Sequence, residues 1–207
     1  MYTKHSNRQC VICFKDVYRI PSIYHLLYQP PICFECLSKL EMIDKTFIKA
    51  NKPTRILYRY NDFFKQLLFQ YKGQYDLALK DAFLCISKEE LQRKYREYLV
   101  VIIPSSKEDN EKRGFCPNEK IVETFSHDIF KGLYKSMNYK QTSQKDRRGI
   151  KKVLQIENGY LLTNRKVLVF DDVITSGNTM QATIDLIASY HPKCIEILVL
   201  ASKQIPT

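Results

Sequence analysis

One stretch, residues 167–179, constrains the fold of this chain more than any other. It opens with four apolar residues, continues with the adjacent carboxylates Asp171 and Asp172, and ends in small and hydroxyl-bearing residues. A short apolar run bounded by charge predicts a strand that is covered on both faces, as in a parallel sheet. Beyond it, Gly177 lets the backbone approach a ligand closely, and a helix that starts there points its positive N-terminal end at the same place.

These residue types predict a site for a phosphate beside a sugar. The backbone N–H groups and hydroxyls of small residues can surround one phosphate. Two acids would repel that phosphate, and they suit a sugar diol or a hydrated Mg²⁺ next to it. A plain strand–turn–helix corner, in which Asp and Thr only cap the helix, is the alternative. The residues assigned to the site are Asp171, Asp172, Thr175, Ser176, Gly177, Asn178 and Thr179.

Along the rest of the chain, apolar runs of strand length alternate with helical periodicity. This alternation predicts an α/β fold with a mostly parallel sheet and helices on both of its faces. The predicted strands cover residues 55–60, 98–103, 165–170 and 194–201. The predicted helices cover residues 62–73, 75–86, 87–96, 121–130 and 180–190.

Four of the cysteines predict a metal site near the N-terminus. Cys10 and Cys13 form one Cys-x-x-Cys pair, and Cys33 and Cys36 form a second. Two such pairs supply four thiolates in the tetrahedral arrangement that structural Zn²⁺ prefers. Two disulfides are the competing interpretation, which a reducing compartment disfavours. We therefore expect one structural zinc ion in a small zinc-ribbon-like module over residues 1–48, with a main domain over residues 49–207 beyond a polar connector.

Two long polar stretches interrupt the alternation of strands and helices. Residues 104–117 follow a predicted strand, and loops that follow parallel strands meet at the edge of the sheet where ligands bind. Residues 136–164 form a basic stretch, called here the hood, which we expect to be a flexible loop, either a functional lid or a disordered segment. The cations clustered in the hood are Lys145, Arg147, Arg148, Lys151 and Lys152.

The charge balance favours an anionic partner. The chain has 33 Lys and Arg residues against 22 Asp and Glu residues, a formal net charge of +11. Such an excess attracts anions, although a basic surface that only keeps the protein in solution is the alternative. No run of residues approaches the ~20 apolar positions of a membrane span, and no secretory leader is present. We therefore expect a cytoplasmic protein without membrane insertion.

The order of these motifs resembles that of known families. The acid pair and its loop resemble the signature of type I phosphoribosyltransferases, which bind 5-phosphoribosyl 1-pyrophosphate (PRPP). The cysteine pairs, Gln-Tyr-Lys-Gly at 70–73, Arg-Gly-Phe at 113–115, the hood and the acid pair together resemble the ComF family. Family members often continue Arg-Gly-Phe with Asn-Gln, where this chain has Cys116 and Pro117.

The resemblance implies a fold of the type I phosphoribosyltransferase kind and a role for each motif. Asp171 and Asp172 would engage the ribose hydroxyls, residues 175–179 would hold the 5′-phosphate, and Mg²⁺ would accompany PRPP. The loop with Lys112, Arg113 and Gly114 would contact pyrophosphate. The resemblance gives Lys72 no clear role, and its expected place is a helix end with its stem along the apolar surface.

Three functions remain open from the sequence. The resemblance implies a competence factor of natural transformation that binds single-stranded DNA through the hood, beside a ComFA-type helicase and the recombination mediator DprA. The second function is an active Mg²⁺-dependent phosphoribosyltransferase that transfers ribose 5-phosphate to an unidentified base or amine. The third is a structural adaptor that docks through its zinc module.

Overall fold

A computed structural model describes residues 9–17, 31–105, 107–135, 154–175 and 177–204. Within these residues, the strands form a six-stranded sheet and a separate two-stranded pair. In chain order the strands are β1 (Met42–Lys49), β2 (Lys52–Arg59), β3 (Tyr98–Ile102), β4 (Ile129–Phe130), β5 (Leu133–Lys135), β6 (Leu154–Ile156), β7 (Lys166–Ile174) and β8 (Cys194–Ser202). The large sheet has the order β1-β2-β8-β7-β3-β4, and only its β1–β2 pair is antiparallel. The predicted α/β fold with a mostly parallel sheet is therefore confirmed.

Helices cover both faces of this sheet, as its alternating burial requires. On β7, Leu168 and Phe170 join the core on one face, whereas Val167 and Val169 join the core on the other. The helices are α1 (Phe34–Lys39), α2 (Asp62–Gly73), α3 (Lys88–Lys94), α4 (Lys107–Arg113), α5 (Pro117–Val122) and α6 (Asn178–Ala188), with short 3-10 helices at Leu77–Ala82 and Gly159–Leu162. In the described part of the chain, no helix combines the length and apolar character needed to cross a bilayer.

Three sequence-based elements differ from the structure. The predicted helix at 121–130 is wrong beyond Val122, because the chain turns there and then forms β4 beside β3. The helix expected at 75–86 is reduced to the 3-10 helix Leu77–Ala82. In the hood, residues 154–162 are not a loop but β6 and a 3-10 helix, because Leu154 is buried and Gly159 packs directly under the ring of Tyr190.

The expected polar connector near residue 49 is a tight hairpin turn. Ala50 and Asn51 both have left-handed backbone angles, φ 51° and 56°, which close the turn between β1 and β2. Strand β1 is thus an edge strand of the main sheet, although its residues lie mostly in the range assigned to the zinc module. Buried Arg55 on β2 fixes it there, since its Nε donates to Asp44 on β1 at 2.6 Å and its guanidinium also pairs with Glu90 on α3.

The topology places a crevice between β3 and β7. From β3 the chain moves outward to β4, whereas from β7 it moves the opposite way to β8, so the strand order reverses between them. Ligands in open α/β sheets bind at such a reversal, beyond the carboxyl ends of the strands. The register of β3 with β7 ends at Ile102 opposite Phe170, while β7 stays paired with β8 as far as Ile174. The last residues of β7 therefore border the crevice.

Candidate phosphoribosyl site

The two adjacent acids lie at the carboxyl end of β7, on the wall of this crevice. Both are partly buried, and two other side chains hold them. The Nζ atom of Lys72 lies 2.7 Å from Asp172 Oδ2. The Nδ2 atom of Asn118 donates to Asp171 Oδ1 at 3.3 Å and to Asp172 Oδ1 at 3.4 Å. The acids, the lysine and the amide thus form one polar cluster.

The environment gives the two acids different proton affinities. Burial and the negative charge of Asp172 raise the pKa of Asp171 well above its usual range, and Lys72 opposes this only in part. Burial also disfavours ionisation of Asp172, but the ammonium of Lys72 and the amide of Asn118 outweigh it and lower the pKa of Asp172. Asp172 is therefore the stably ionised member of the pair, and Asp171 is the member that takes up a proton first.

Two sequence motifs meet to build this cluster. Lys72 ends α2 and Asn118 begins α5, and the segments that carry them are joined by direct contacts. The buried hydroxyl of Tyr71 donates to the carbonyl oxygen of Pro117 at 2.7 Å, and the rings of Tyr71 and Phe115 lie 5.6 Å apart. Arg113 Nε donates to the carbonyl oxygen of Lys72 at 2.8 Å. The Gln-Tyr-Lys-Gly and Arg-Gly-Phe motifs therefore act together as the support of the acid pair.

The loop after the acids leads directly into helix α6. Gly177 has φ 74° and immediately precedes α6, and as a glycine it offers no side chain to cap that helix. Thr175 is exposed, Ser176 lies outside the described residues, and a cavity of about 260 Å³ adjoins the loop. The cavity also receives Lys49 from the β1–β2 hairpin, and burial lowers the pKa of this lysine. The cavity lining is Lys49, Ala50, Ile174, Thr175, Gly177, Asn178, Met180, Gln181 and Gln204.

A second cavity of about 550 Å³ lies beyond the ends of β3 and β4. Its lining includes Ser105 from the loop after β3 and Lys135 at the end of β5. Burial lowers the pKa of Lys135, although the negative charges of Asp171 and Asp109 partly restore it. Ile102 also lines this cavity and is paired with Phe170, the residue before Asp171, so the cavity borders the crevice that holds the acid pair.

The residues expected to contact pyrophosphate occupy different positions. Arg113 is directed at the carbonyl of Lys72 and is therefore adjacent to the acid pair. Lys112 is exposed on α4. Gly114 has φ 74° and open space around its Cα, so the chain reverses there between α4 and α5. Their role in binding pyrophosphate stays a prediction.

The four N-terminal cysteines come together as a cluster. The Sγ atoms of Cys10, Cys13, Cys33 and Cys36 all lie within 4.8 Å of one another, and none is in a disulfide. A tetrahedral zinc ion with Zn–S bonds of about 2.3 Å separates its sulfurs by about 3.8 Å, so the donor set fits such an ion. At Cys10, backbone hydrogen bonds, chiefly from Cys33, outweigh burial and lower the pKa to about 7, whereas burial and the neighbouring thiols raise the pKa of Cys36.

The cations assigned to DNA lie outside the described residues. Lys145, Arg147, Arg148, Lys151 and Lys152 all belong to residues 136–153. The two residues that flank this segment, Lys135 and Leu154, are directly paired between β5 and β6. This pair lies beside the larger cavity, which Leu133, Tyr134 and Lys135 help to line.

Sequence reasoning missed three residues of the site. The expectation that Lys72 only covers apolar surface is wrong, since its ammonium pairs with Asp172. Asn118 and Lys49 were not singled out. The sequence offered a signal for two of them, since Lys72 lies within the Gln-Tyr-Lys-Gly motif and Asn118 follows soon after Arg-Gly-Phe. Lys49 had no such signal, because only the β1–β2 hairpin brings it to its cavity.

Comparison with known proteins agrees with this geometry. The phosphoribosyl transferase domain family matches residues 107–207. The chain is 29% identical over 144 residues to the competence protein ComFC of Streptococcus pneumoniae, covering 69% of this chain and 64% of that protein. It is 25% identical over 153 residues to the competence protein ComFC of Bacillus subtilis, covering 72% and 62%. It therefore spans less than two thirds of the length of either relative.

The chain was also compared with solved structures. A hypoxanthine phosphoribosyltransferase from Staphylococcus aureus matches 62% of this chain and 70% of its own, with 17% identity and a TM-score of 0.38. The resemblance to the ComF family that the motifs predict is confirmed by the two relatives and the domain match.

Proposed function

We propose that this chain is a competence-type factor that binds PRPP and single-stranded DNA. The proposal starts from its similarity to ComFC proteins and from its match to the phosphoribosyl transferase domain. The observation that carries the proposal is the acid pair beside a helix N-terminus at the point where the strand order reverses. The acids would accept hydrogen bonds from the ribose hydroxyls. The loop at 175–179 and Lys49 would hold the 5′-phosphate.

Mg²⁺ would enter this site with PRPP rather than before it. Magnesium binds proteins through one or two carboxylates together with substrate phosphates, and it keeps several of its waters. The pyrophosphate of PRPP would supply oxygens for the ion, so its binding does not require the acid pair to hold a bare cation. Within the four-cysteine cluster, we propose one structural zinc ion, in a module over residues 1–48 whose last strand, β1, is shared with the sheet of the domain over residues 49–207.

Calorimetry with PRPP and Mg²⁺ tests the PRPP site. We expect saturable heat from the unaltered protein and none from the double variant Asp171→Asn with Asp172→Asn. Asp185→Asn, on the far part of α6, is the matched control that removes one carboxylate elsewhere and should bind normally. Absence of binding by the unaltered protein, or full binding by the double variant, would contradict the proposal.

Single-stranded DNA is the proposed ligand of the hood. Its five clustered cations would neutralise DNA phosphates, and the residues that flank residues 136–153 in the chain, Lys135 and Leu154, are paired beside the larger cavity. Tyr134 lies on β5, and its hydroxyl donates to Glu157 at 2.9 Å. This contact gives Tyr134 a structural role in the β5–β6 pair and does not present its ring for stacking on DNA bases. Affinity would therefore come mainly from charge.

Salt dependence tests this electrostatic contribution. If five phosphates are neutralised, the logarithm of the binding constant should fall with the logarithm of salt concentration with a slope of about −3.5. Replacing all five hood cations with Gln should abolish binding in a gel-shift assay. The control replaces five lysines outside the hood and should bind nearly as the unaltered protein does. Equal loss in both variants would show non-specific attraction to a basic protein. The control residues are Lys45, Lys65, Lys80, Lys88 and Lys193.

An active phosphoribosyltransferase is the second candidate. Lys135 favours it, because a lysine with a lowered pKa borders a cavity of about 550 Å³ next to the acid pair, where an acceptor would enter. Exchange of labelled pyrophosphate into PRPP, in the presence of candidate bases and amines, distinguishes turnover from binding alone. A ComFA-type helicase and DprA remain proposed partners, which co-purification from transforming cells would test.

A further inference from the structure

We propose that Lys72 and Asn118 are positioning residues that make the acid pair select a vicinal diol and reject a bare divalent cation. This inference rests on the proposed PRPP site and names the group that its acids recognise. Two carboxylates side by side are equally suited to hydroxyls and to a metal ion. The groups that surround them decide between these ligands.

The ammonium of Lys72 disfavours a metal ion. It lies 2.7 Å from Asp172 Oδ2 and its side chain is only 20% exposed, so water screens it weakly. A divalent cation would have to approach the carboxylate oxygens to about 2.0–2.1 Å, within a few ångströms of this fixed positive charge. A sugar hydroxyl carries no net charge, and it can donate to a carboxylate lone pair that Lys72 leaves open.

The backbone that carries the ammonium is held in place, and the ammonium itself is held by its ion pair with Asp172. Arg113 Nε donates to the carbonyl oxygen of Lys72 at 2.8 Å, at the end of α2. The preceding Tyr71 is fully buried, and its hydroxyl donates to the carbonyl oxygen of Pro117. The start of the Lys72 side chain is therefore placed beside the acids, and a cation that displaced its ammonium would have to break the ion pair with Asp172.

Asn118 adds donors on the inner side of the pair. Its side chain is buried, and its Nδ2 atom donates to one oxygen of each acid, at 3.3 and 3.4 Å. Amide hydrogens directed at the acids repel a cation and hold the two carboxylates at a fixed separation. The Oδ1 atom of Asn118 is buried and has no hydrogen-bond partner among the described residues. A ligand hydroxyl or a water molecule would supply the missing donor.

Three probes, each used alone, test this selectivity. Only the buffer is freed of metals over a chelating resin, so that the protein retains any ion in its cysteine cluster. They are ribose 5-phosphate, 2-deoxyribose 5-phosphate and Mn²⁺. We expect the unaltered protein to bind ribose 5-phosphate, to bind the deoxy sugar roughly tenfold or more weakly, and to bind no Mn²⁺ at the acid pair. Calorimetry measures the sugars, and electron paramagnetic resonance measures free Mn²⁺.

Variants should change the two affinities in opposite directions. Lys72→Met keeps the length of the stem and removes the charge, and Asn118→Asp adds a third carboxylate at nearly constant shape. Each should lose roughly tenfold or more in ribose 5-phosphate affinity and gain Mn²⁺ binding that Asp171→Asn abolishes. Lys72→Arg retains the charge and should still exclude Mn²⁺. Thermal melts of all variants establish that they are folded.

The possible outcomes separate this inference from the proposed function. Loss of sugar binding in the variants without any gain of Mn²⁺ binding, or Mn²⁺ binding by the unaltered protein at the acids, would overturn the role of Lys72 and Asn118. If PRPP with Mg²⁺ binds but the deoxy sugar binds as well as ribose 5-phosphate, the diol inference alone fails. If the unaltered protein binds neither PRPP nor ribose 5-phosphate, the proposed function fails and this inference fails with it.

Discussion

Replacing Tyr71 with phenylalanine tests whether the two motifs support the acid pair together. The substitution removes one hydrogen bond, from the Tyr71 hydroxyl to the carbonyl oxygen of Pro117 at 2.7 Å. It keeps the ring, whose centroid lies 5.3 Å from that of Phe83 and 5.6 Å from that of Phe115. Losing one buried hydrogen bond costs about 1 kcal/mol, which lowers the melting temperature of a chain of this length by about 2–4 °C.

The expected effect on ligand binding is larger than this loss of stability suggests. Asn118 directly follows Pro117, and its hydrogen bonds to the acids are already long, at 3.3 and 3.4 Å. A shift of a few tenths of an ångström in the start of α5 would break them, since contacts near 3.6 Å no longer count as hydrogen bonds. We therefore expect Tyr71→Phe to weaken ribose 5-phosphate binding by roughly three- to tenfold, the equivalent of about 0.7–1.4 kcal/mol.

Calorimetry with ribose 5-phosphate and a thermal melt measure the two effects on one preparation. Tyr160→Phe is the matched control, because Tyr160 is 69% exposed and should change neither quantity. A variant that melts lower but binds normally would refute the coupling between α2 and the acid pair. A variant that melts like the unaltered protein would show that the buried hydroxyl contributes nothing.

Three further predictions concern the acids, the phosphate cavity and the cysteine cluster. Because the pKa of Asp171 is raised and only the ionised carboxylate accepts a hydroxyl donor fully, ribose 5-phosphate affinity should increase as the pH rises through that pKa. The titration should show this step in the unaltered protein and not in Asp171→Asn. Lys49→Met should weaken the binding of inorganic phosphate and of ribose 5-phosphate by a similar factor, about tenfold, whereas Lys45→Met on the same strand should leave both unchanged in calorimetry. Metal removal with a chelator should lower the melting temperature, because Cys10 and Cys36 are part of the buried core. Elemental analysis should find about one equivalent of zinc released. An unchanged melting temperature would argue against a structural ion.

The features that the sequence predicts well are those encoded locally. The strand that ends in Asp171 and Asp172 needs only a run of apolar residues and a charge boundary, and β7 is found where that run lies. The two Cys-x-x-Cys pairs are likewise recognised from short spacings, and their four sulfur atoms do lie together. In both cases the chemistry and the secondary structure come from neighbouring residues.

Tertiary contacts decide the features that the sequence did not reveal. Lys72 and Asn118 are far apart in the chain, and only the packing of α2 against the start of α5 brings both to the acid pair. The sequence did not predict strand β1. Its apolar residues do not mark a buried face, because Met42 and Ile48 are exposed at the edge of the sheet. Residues 121–130 carry apolar positions that fit a helix, yet pairing with β3 makes Ile129 and Phe130 a strand.

The N-terminal half of the chain is part of the candidate site and not an accessory to it. The domain match begins at residue 107, yet two of the cations near the proposed ligand come from before that point. Lys72 lies on α2 and Lys49 on the β1–β2 hairpin, and β2 pairs with β8 inside the main sheet. The cysteine cluster packs on the same core as α2, since Cys10 and Cys36 share a buried cluster with Tyr71. A metal ion there would stabilise the helix that holds Lys72 over the acids, which connects the cysteine cluster physically to the selectivity of the sugar site.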